Sequence, residues 1–185
     1  MFMPYARAAL MLFLLTLGIA LGAGLYESRI AAAHWLAQSP DGALHWDAAA
    51  AASDNVGVRF WALVTTGPLT LLTLVNLWIA LRRAEGQLRH WWLAGALLAL
   101  VERGVTLAYF VPAMIGLMEA VDSPQAVRDA TLWLDLNYAR HALILAAWFA
   151  SMKAYALAQN VKRRVPAYLE PHPIRSEEIS FRHQM

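Results

Sequence analysis

An arginine and a histidine stand next to each other in the fourth long apolar segment of this chain, at Arg140 and His141. A histidine can act as a general acid or base, and an arginine can stabilise an anion or a developing oxyanion. Tyr109, in the third apolar segment, adds a hydroxyl group that can orient a bound molecule. These residue types predict proton-transfer chemistry on a small molecule, with Arg140, His141 and Tyr109 as the candidate catalytic residues.

Other polar and aromatic residues in or beside the apolar segments can hold such a molecule by charge, hydrogen bonds or ring stacking. A charge near the centre of a bilayer costs at least about 2.5 kcal/mol, so each charged residue there needs a partner. Adjacent helical residues point about 100° apart, so Glu102 and Arg103 are not expected to neutralise each other fully, and each should pair with another helix. The candidate substrate-binding residues are Asn137, Trp133, Glu102, Arg103, Arg59, Trp61 and Glu27.

A metal site is a further hypothesis, because imidazole and carboxylate ligands suit zinc, copper or iron. His34, His45 and His141 could gather near one face of the membrane with Glu27. No two histidines there are four residues apart, so the spacing places no pair on one helix face. We therefore predict no metal ligands and no cofactor from the spacing alone.

Four helices must position these side chains. The chain has 185 residues, of which 59% are hydrophobic and only 15% charged, whereas a soluble domain carries about 25% charged residues. A membrane span needs roughly 20 apolar residues. The sequence predicts an all-α fold, an integral membrane four-helix bundle in one domain over residues 1–160, followed by a polar cytoplasmic tail at 161–185. The predicted spans are residues 8–26, 58–81, 91–118 and 132–158.

The distribution of basic residues predicts the orientation. Arg7, the link with Arg82 and Arg83, and the basic residues 162–164 alternate along the chain with two mainly acidic links. Because basic loops stay inside, both termini should be cytoplasmic. A long outer loop then connects helices 1 and 2, and its residues 43–52 favour a short helix with Trp46 at the membrane interface. The location is the cell membrane, or the inner membrane if the source is bacterial.

Composition also limits the partners. The chain has no cysteine, which excludes disulfides and thiolate metal sites. Its net charge is only +2, and the basic residues occur in short groups beside apolar runs, so nucleic-acid binding is not expected. The expected partners are the lipid bilayer, an aromatic small molecule and a second copy of the chain in a homo-oligomer.

Three short segments resemble the anthrone-oxygenase-type family of small membrane proteins. They are the sequence from Gly24 to Ser28, the sequence from Tyr109 to Met114, and Trp133 with Asn137 and Arg140. The resemblance implies four spans and an oxidoreductase activity in which an anthrone is oxidised to an anthraquinone by molecular oxygen, without an evident cofactor. It also implies that the matched Trp133, Asn137 and Arg140, with His141 following, form the site where a basic group helps to generate the reactive enolate.

Two alternatives remain open. In a non-catalytic membrane subunit or assembly protein, the buried polar residues would pair only with one another, fix the helix packing and leave no pocket. A transporter or channel would need polar stripes that join into a path through the bilayer, but four short spans without an inverted repeat give little room for alternating access. The enzyme hypothesis requires instead that Arg140 and His141 line a cavity large enough for a ring compound.

Overall fold

A computed structural model describes residues 4–54 and 56–163, except for the side chains at positions 58, 64 and 161–163. Beyond Arg163, the predicted polar tail lies outside the described residues. Within the described part, four helices are long and apolar enough to cross a membrane, which confirms the predicted helical membrane-type fold. They are the first helix, Pro4–Trp35, the second, Ala48–Arg83, the third, Gly86–Glu119, and the fourth, Pro124–Asn160, which continues as α-helix to Arg163.

The first three helices each change from α-helical to π-helical winding. The first comprises α1 (Pro4–Tyr26), a π-helical segment Glu27–Ala31 and α2 (Ala32–Trp35). In the second, α3 (Ala48–Asp54) precedes a π-helical segment Gly57–Thr66 and α4 (Gly67–Arg83). In the third, α5 (Gly86–Val105) precedes a π-helical segment Thr106–Phe110 and α6 (Val111–Glu119), whereas the fourth helix is continuous α7 (Pro124–Arg163).

Two of the π-helical segments end two residues before a proline. Pro68 and Pro112 have no N–H group, and the ring of a proline clashes with the carbonyl four residues earlier. The preceding backbone therefore uses longer hydrogen bonds, from the Gly67 N–H to the Ala62 carbonyl and from the Val111 N–H to the Thr106 carbonyl. Such π-helical turns rotate the following side chains relative to a regular helix and are often found at functional sites.

The four helices pack in a ring in which each contacts the helices before and after it. An inner hydrophobic cluster, which includes Leu10, Leu69 and Ile144, fills the end of the bundle that carries the link between the second and third helices. Asn76 connects three helices there, because its Nδ2 donates to the Ala9 carbonyl at 3.2 Å and its Oδ1 accepts from Trp92 Nε1 at 3.0 Å.

The predicted long outer loop is much shorter in the structure, because the first helix runs on to Trp35 and the second begins at Ala48. A β-hairpin connects them, formed by β1 (Leu36–Gln38) and β2 (Leu44–Trp46), with Leu36 opposite Trp46. The prediction of a helix over residues 43–52 with Trp46 at the interface was therefore wrong for its first half. Trp46 is buried, and its Nε1 donates to the Leu117 carbonyl at 2.7 Å, which fixes the hairpin over the third helix.

Asp122 joins this hairpin to the link before the fourth helix. Its carboxylate accepts from the Trp46 backbone N–H at 2.9 Å and lies 2.8 Å from His45 Nδ1. The His45 imidazole and this N–H hold the pKa of Asp122 below its usual range. Both contacts need the ionised carboxylate, so their contribution is present above the ordinary aspartate pKa of about 3.9 and is lost as the pH falls through the lowered value.

We expect Asp122→Asn to increase the hydrogen-exchange rate of the Trp46 amide several-fold at neutral pH, because a neutral amide accepts this hydrogen bond more weakly than a carboxylate. In the wild type, protection of that amide should fall below about pH 4, whereas the variant should show no such acid step. Asp129→Asn is the matched control, because Asp129 is exposed and bonds to Gln125 on its own helix. An acid step that persists in Asp122→Asn would assign it to another group.

Candidate functional site

A polar layer separates the inner hydrophobic cluster from a second cluster beneath the hairpin, which includes Trp46, Phe110 and Trp133. The layer is buried although several of its members are ionisable. Isolated charges are costly in such a place, so the partners of each group decide what it can do. The buried polar residues of this layer are Glu27, Glu102, Arg103, Thr106, Asn137, Arg140 and His141.

Glu102 and Arg103 form a close ion pair. The Arg103 guanidinium donates to both Glu102 carboxylate oxygens, from Nε and from Nη2, at 2.6 Å each. Thr106 Oγ1 donates to Glu102 Oε1 at 2.9 Å. The prediction was that these neighbours would not neutralise each other fully and that each would pair with another helix. Glu102 does reach Arg140 of the fourth helix, at 4.0 Å, but its close partner is Arg103, because the long arginine side chain spans the angle between the two positions. Both side chains are buried, and opposite charges attract each other more strongly in such a low-dielectric place than in water.

Arg140 remains less fully paired than Arg103. Its Nε is buried, makes no hydrogen bond among the described residues and lies 4.0 Å from Glu102 Oε1. The guanidinium carbon lies 4.6 Å from the centroid of the Phe110 ring and 5.7 Å from that of Trp61, within the range of cation–π attraction. Arg140 is therefore a buried cation that contacts two aromatic rings and one carboxylate at the limit of a salt bridge, and its Nε remains free to donate to a bound group.

A cavity of about 290 Å³ lies beside Arg140. All three π-helical segments contribute to its wall, through Glu27, through Trp61 and Thr66, and through Thr106 and Phe110. Most of the remaining lining residues are apolar. The other lining residues are Trp35, Ala51, Val56, Gly57, Ala62, Arg103, Leu107, Val111, Met114, Ile115, Met118, Trp133 and Arg140.

Glu27 brings a carboxyl group to the same cavity. It is buried, and its Oε1 accepts a hydrogen bond from Trp61 Nε1 at 2.8 Å. Glu27 and Arg140 thus both line the cavity, one from the first helix and one from the fourth. A proton acceptor and a cation that face one space can separate a proton from a ligand and stabilise the anion that remains.

Four of the predicted binding residues line the cavity, namely Glu27, Trp61, Arg103 and Trp133. Glu102 does not line it. Trp133 Nε1 donates to the Phe110 carbonyl at 3.1 Å, which fixes the indole ring as a wall. Asn137 is buried but does not line the cavity, and its Nδ2 donates to the Trp133 carbonyl at 3.1 Å within the same helix. The structure therefore gives Asn137 no direct path to a ligand in this cavity.

Three predicted residues lie apart from the cavity. His141 packs against Gly24 of the first helix, and neither ring nitrogen has a hydrogen-bond partner among the described residues. It is separated from Arg140 because consecutive helical residues point in different directions. Tyr109 packs edge-on against Phe110 beneath the hairpin, and Arg59 is exposed on the second helix. The expected convergence of Arg140, His141 and Tyr109 on one pocket is thus not what the structure shows.

The histidines considered as metal ligands are also dispersed. His34 is exposed, His45 pairs with Asp122, and His141 packs between the first and fourth helices. Across residues 4–54 and 56–163, no three histidine or carboxylate side chains gather closely enough to hold a metal ion.

The sequence patterns missed several cavity residues, namely Trp35, Phe110, Met114 and Met118. The available signal was the position of Pro68 and Pro112 inside apolar helices. A proline there forces local rewinding, and rewinding changes which side chains face inward.

The described fold is helical and compatible with a multi-pass membrane protein, and all four long helices line its partly charged aromatic cavity. Comparison of the chain with protein-family models, curated proteins and solved structures gave no match. The resemblance to anthrone oxygenases therefore stays a prediction, and the functional argument depends on the site itself.

Proposed function

We propose that this protein binds a flat, weakly acidic aromatic molecule in the cavity and that Arg140 stabilises the anionic form of that molecule. The observation that carries the proposal is the position of the Arg140 guanidinium in an aromatic wall. Its buried Nε donates no hydrogen bond to any described residue. A buried cation of this kind favours an anionic ligand over a neutral one.

The size of the cavity supports a ring compound. A cavity of about 150 Å³ can hold benzene, and the present cavity of about 290 Å³ is roughly twice as large. Two or three fused rings would fill it, and the rings of Trp61, Phe110 and Trp133 offer faces and edges for stacking. A long polar substrate would leave many of its groups without hydrogen bonds.

The charges support proton transfer within the site. When an acidic ligand gives its proton to the Glu27 carboxylate, Glu27 becomes neutral and the ligand becomes an anion beside Arg140. The total charge in the cavity does not change, so the step requires no ion from water. Glu27 takes the role of base in this proposal, because it lines the cavity whereas His141 does not.

The family resemblance supplies the reaction that we propose for this site. Loss of a proton from the CH₂ group of an anthrone gives an enolate, which molecular oxygen oxidises. The CH₂ carbon becomes a carbonyl, and the second oxygen atom leaves as water with the two hydrogens. Arg140 would stabilise the enolate, and Glu27 would accept the first proton.

The orientation that fits this proposal places the hairpin outside the cell and both termini in the cytoplasm of a plasma or inner membrane. Arg82 and Arg83 end the second helix at the opposite side from the hairpin, and Asp41, Asp47 and Asp122 lie at the hairpin side. The positive-inside preference favours this direction. The cavity then lies in the outer half of the bilayer.

One observation favours a non-catalytic packing role for part of the layer. Glu102, Arg103 and Thr106 satisfy one another, as a purely structural network would. The cavity and the incompletely paired Arg140 beside it do not fit that role. We therefore assign packing to the Glu102 group and ligand binding to Arg140.

We expect Arg140→Gln to weaken the binding of alizarin, an acidic dihydroxyanthraquinone, by about 10- to 100-fold, because a hydrogen bond to a charged group contributes about 1.5–3 kcal/mol. Trp35, Trp61 and Trp133 line the cavity, so quenching of tryptophan fluorescence in mild detergent reports binding. Arg128→Gln is the matched control, since it removes the same charge from an exposed position of the same helix.

Equal affinities of wild type and Arg140→Gln would contradict the proposal, as would an equal loss in Arg128→Gln. The reaction is tested on the same preparations with dithranol, a dihydroxyanthrone, by following oxygen consumption above the spontaneous rate. Glu27→Gln should abolish that excess while alizarin still binds. Binding without any excess oxygen consumption in the wild type would retain the binding function and reject the oxidase.

A further inference from the structure

The cavity reaches the outer surface of the bundle between the second and third helices. Five of its lining residues are exposed there, two small ones on the second helix and three branched ones on the third. The side chains of Leu107, Val111 and Ile115 are 52%, 40% and 50% exposed, although they also line the cavity. Gly57 and Ala62 face the same opening from the second helix.

The packing of the two helices explains this opening. The second and third helices are in extensive contact along α4 and α5, and they meet again where α3 packs against α6. Between these two regions, the segments Gly57–Thr66 and Thr106–Phe110 pack at most weakly on each other. The point of divergence coincides with the π-helical segments Gly57–Thr66 and Thr106–Phe110. The rewound turns thus separate the helices and leave a gap beside the cavity.

The inner rim of the gap lies at the level of the acyl chains. Leu107 follows Trp91 by 16 residues, about 24 Å along the helix axis at about 1.5 Å per residue. Trp91 stands where an interfacial aromatic residue is expected, and the hydrocarbon core is about 30 Å thick. By the same rise, Val111 and Ile115 lie about 30 and 36 Å from Trp91, so the mouth opens to the acyl chains at Leu107 and extends to the outer interface at Ile115.

The mouth and the deep end of the cavity differ in chemistry. Carbon atoms form the mouth, whereas Arg140, Arg103 and Glu27 at the deep end are 8%, 3% and 6% exposed. A ligand that satisfies both ends has an acidic aromatic head and an apolar tail. Such a molecule dissolves in the bilayer and can enter the cavity sideways with its tail still in lipid.

We propose that the natural ligand is a membrane-dissolved phenol or related acidic ring with a long apolar chain, which enters between Ala62 of the second helix and Leu107 of the third. The proposal rests on the proposed function, because the ring is assumed to occupy the cavity beside Arg140. It adds the direction of entry and the presence of the chain.

The test compares alizarin with a decyl-substituted alizarin in lipid nanodiscs. A ring that fills the cavity leaves no room for a decyl chain inside it, so a closed cavity would reject the substituted compound. With an opening to lipid, the wild type should bind both compounds with affinities within about threefold, each expressed relative to its concentration in the membrane.

Ala62→Trp should weaken binding of the decyl compound at least tenfold more than it weakens binding of alizarin, because the indole closes the gap through which only the decyl chain must extend. Leu63→Trp is the matched control, since Leu63 is the next residue, is 74% exposed and does not line the cavity. Retained alizarin binding in Ala62→Trp also shows that the variant is folded.

A photoreactive diazirine at the end of the decyl chain gives an independent measurement, which decides the case if Ala62→Trp loses both compounds. Labelling within residues 107–115 that excess alizarin suppresses supports the lateral opening. Labelling of the hairpin, or rejection of the decyl compound by a wild type that binds alizarin, overturns it and leaves the proposed function intact. Failure of the wild type to bind either compound overturns both.

Discussion

Replacement of Glu102 by leucine is expected to lower the free energy of unfolding by about 3–5 kcal/mol, because removal of one member of a buried ion pair leaves the other charge uncompensated. Glu102 is fully buried, and it accepts two hydrogen bonds from Arg103 and one from Thr106. Arg140 also loses its nearest carboxylate oxygen, 4.0 Å from its Nε. Reversible unfolding in mixed micelles, followed by circular dichroism, measures the difference.

The double variant Glu102→Leu/Arg103→Met is the decisive control. It removes both charges and keeps the volume approximately constant, and such replacements of buried ion pairs are often neutral or stabilising. The double variant should therefore be at least about 2 kcal/mol more stable than Glu102→Leu alone. If the two unfold alike, Arg103 does not depend on Glu102, and the ion pair is not what stabilises the polar layer.

This ion pair illustrates what the sequence could predict. The four helices followed from composition, because runs of about 20 apolar residues have few alternatives to membrane helices. The cost of burying charge also indicated correctly that Glu102 needs a partner. The close partner, Arg103, was not predicted. A helical wheel gives only the direction of each side chain from the helix axis, whereas a long arginine side chain can fold back onto its neighbour.

The sequence predicted part of the site, because residue type and depth in the membrane identify candidate residues but do not fix their geometry. Arg140, Trp133, Trp61 and Glu27 were recognised by residue type and depth, and all four line the cavity. Their geometry depends on the three π-helical segments, which an even rotation of about 100° per residue does not describe. The hairpin was missed because long-range contacts, such as the hydrogen bond from Trp46 to the Leu117 carbonyl, fix its position.

Replacement of Gly24 by leucine is expected to destabilise the protein by about 1–3 kcal/mol, the usual cost of overpacking. A Cβ atom at Gly24 would collide with the His141 ring, with Cδ2 only 2.9 Å away. Gly24 is buried where the first helix contacts the fourth, so neither helix can move aside without opening the core. Thermal unfolding in detergent, followed by tryptophan fluorescence, measures the effect.

Gly22→Leu is the control for the insertion itself. A Cβ at Gly22 would meet no heavy atom within 4 Å, so this change should alter stability by less than about 0.5 kcal/mol. The difference in stability between Gly24→Leu and Gly22→Leu thus separates the collision with His141 from any general effect of a longer side chain on a membrane helix.

The double variant Gly24→Leu/His141→Ala then tests what His141 does. If the imidazole serves to fill the space beside Gly24, its removal should relieve the collision, with a coupling of about 0.5–3 kcal/mol between the two sites. His141→Ala alone should leave alizarin affinity and dithranol oxidation unchanged, because His141 does not line the cavity. A loss of oxidation with unchanged alizarin binding would instead return His141 to the role of acid or base, acting from outside the cavity wall.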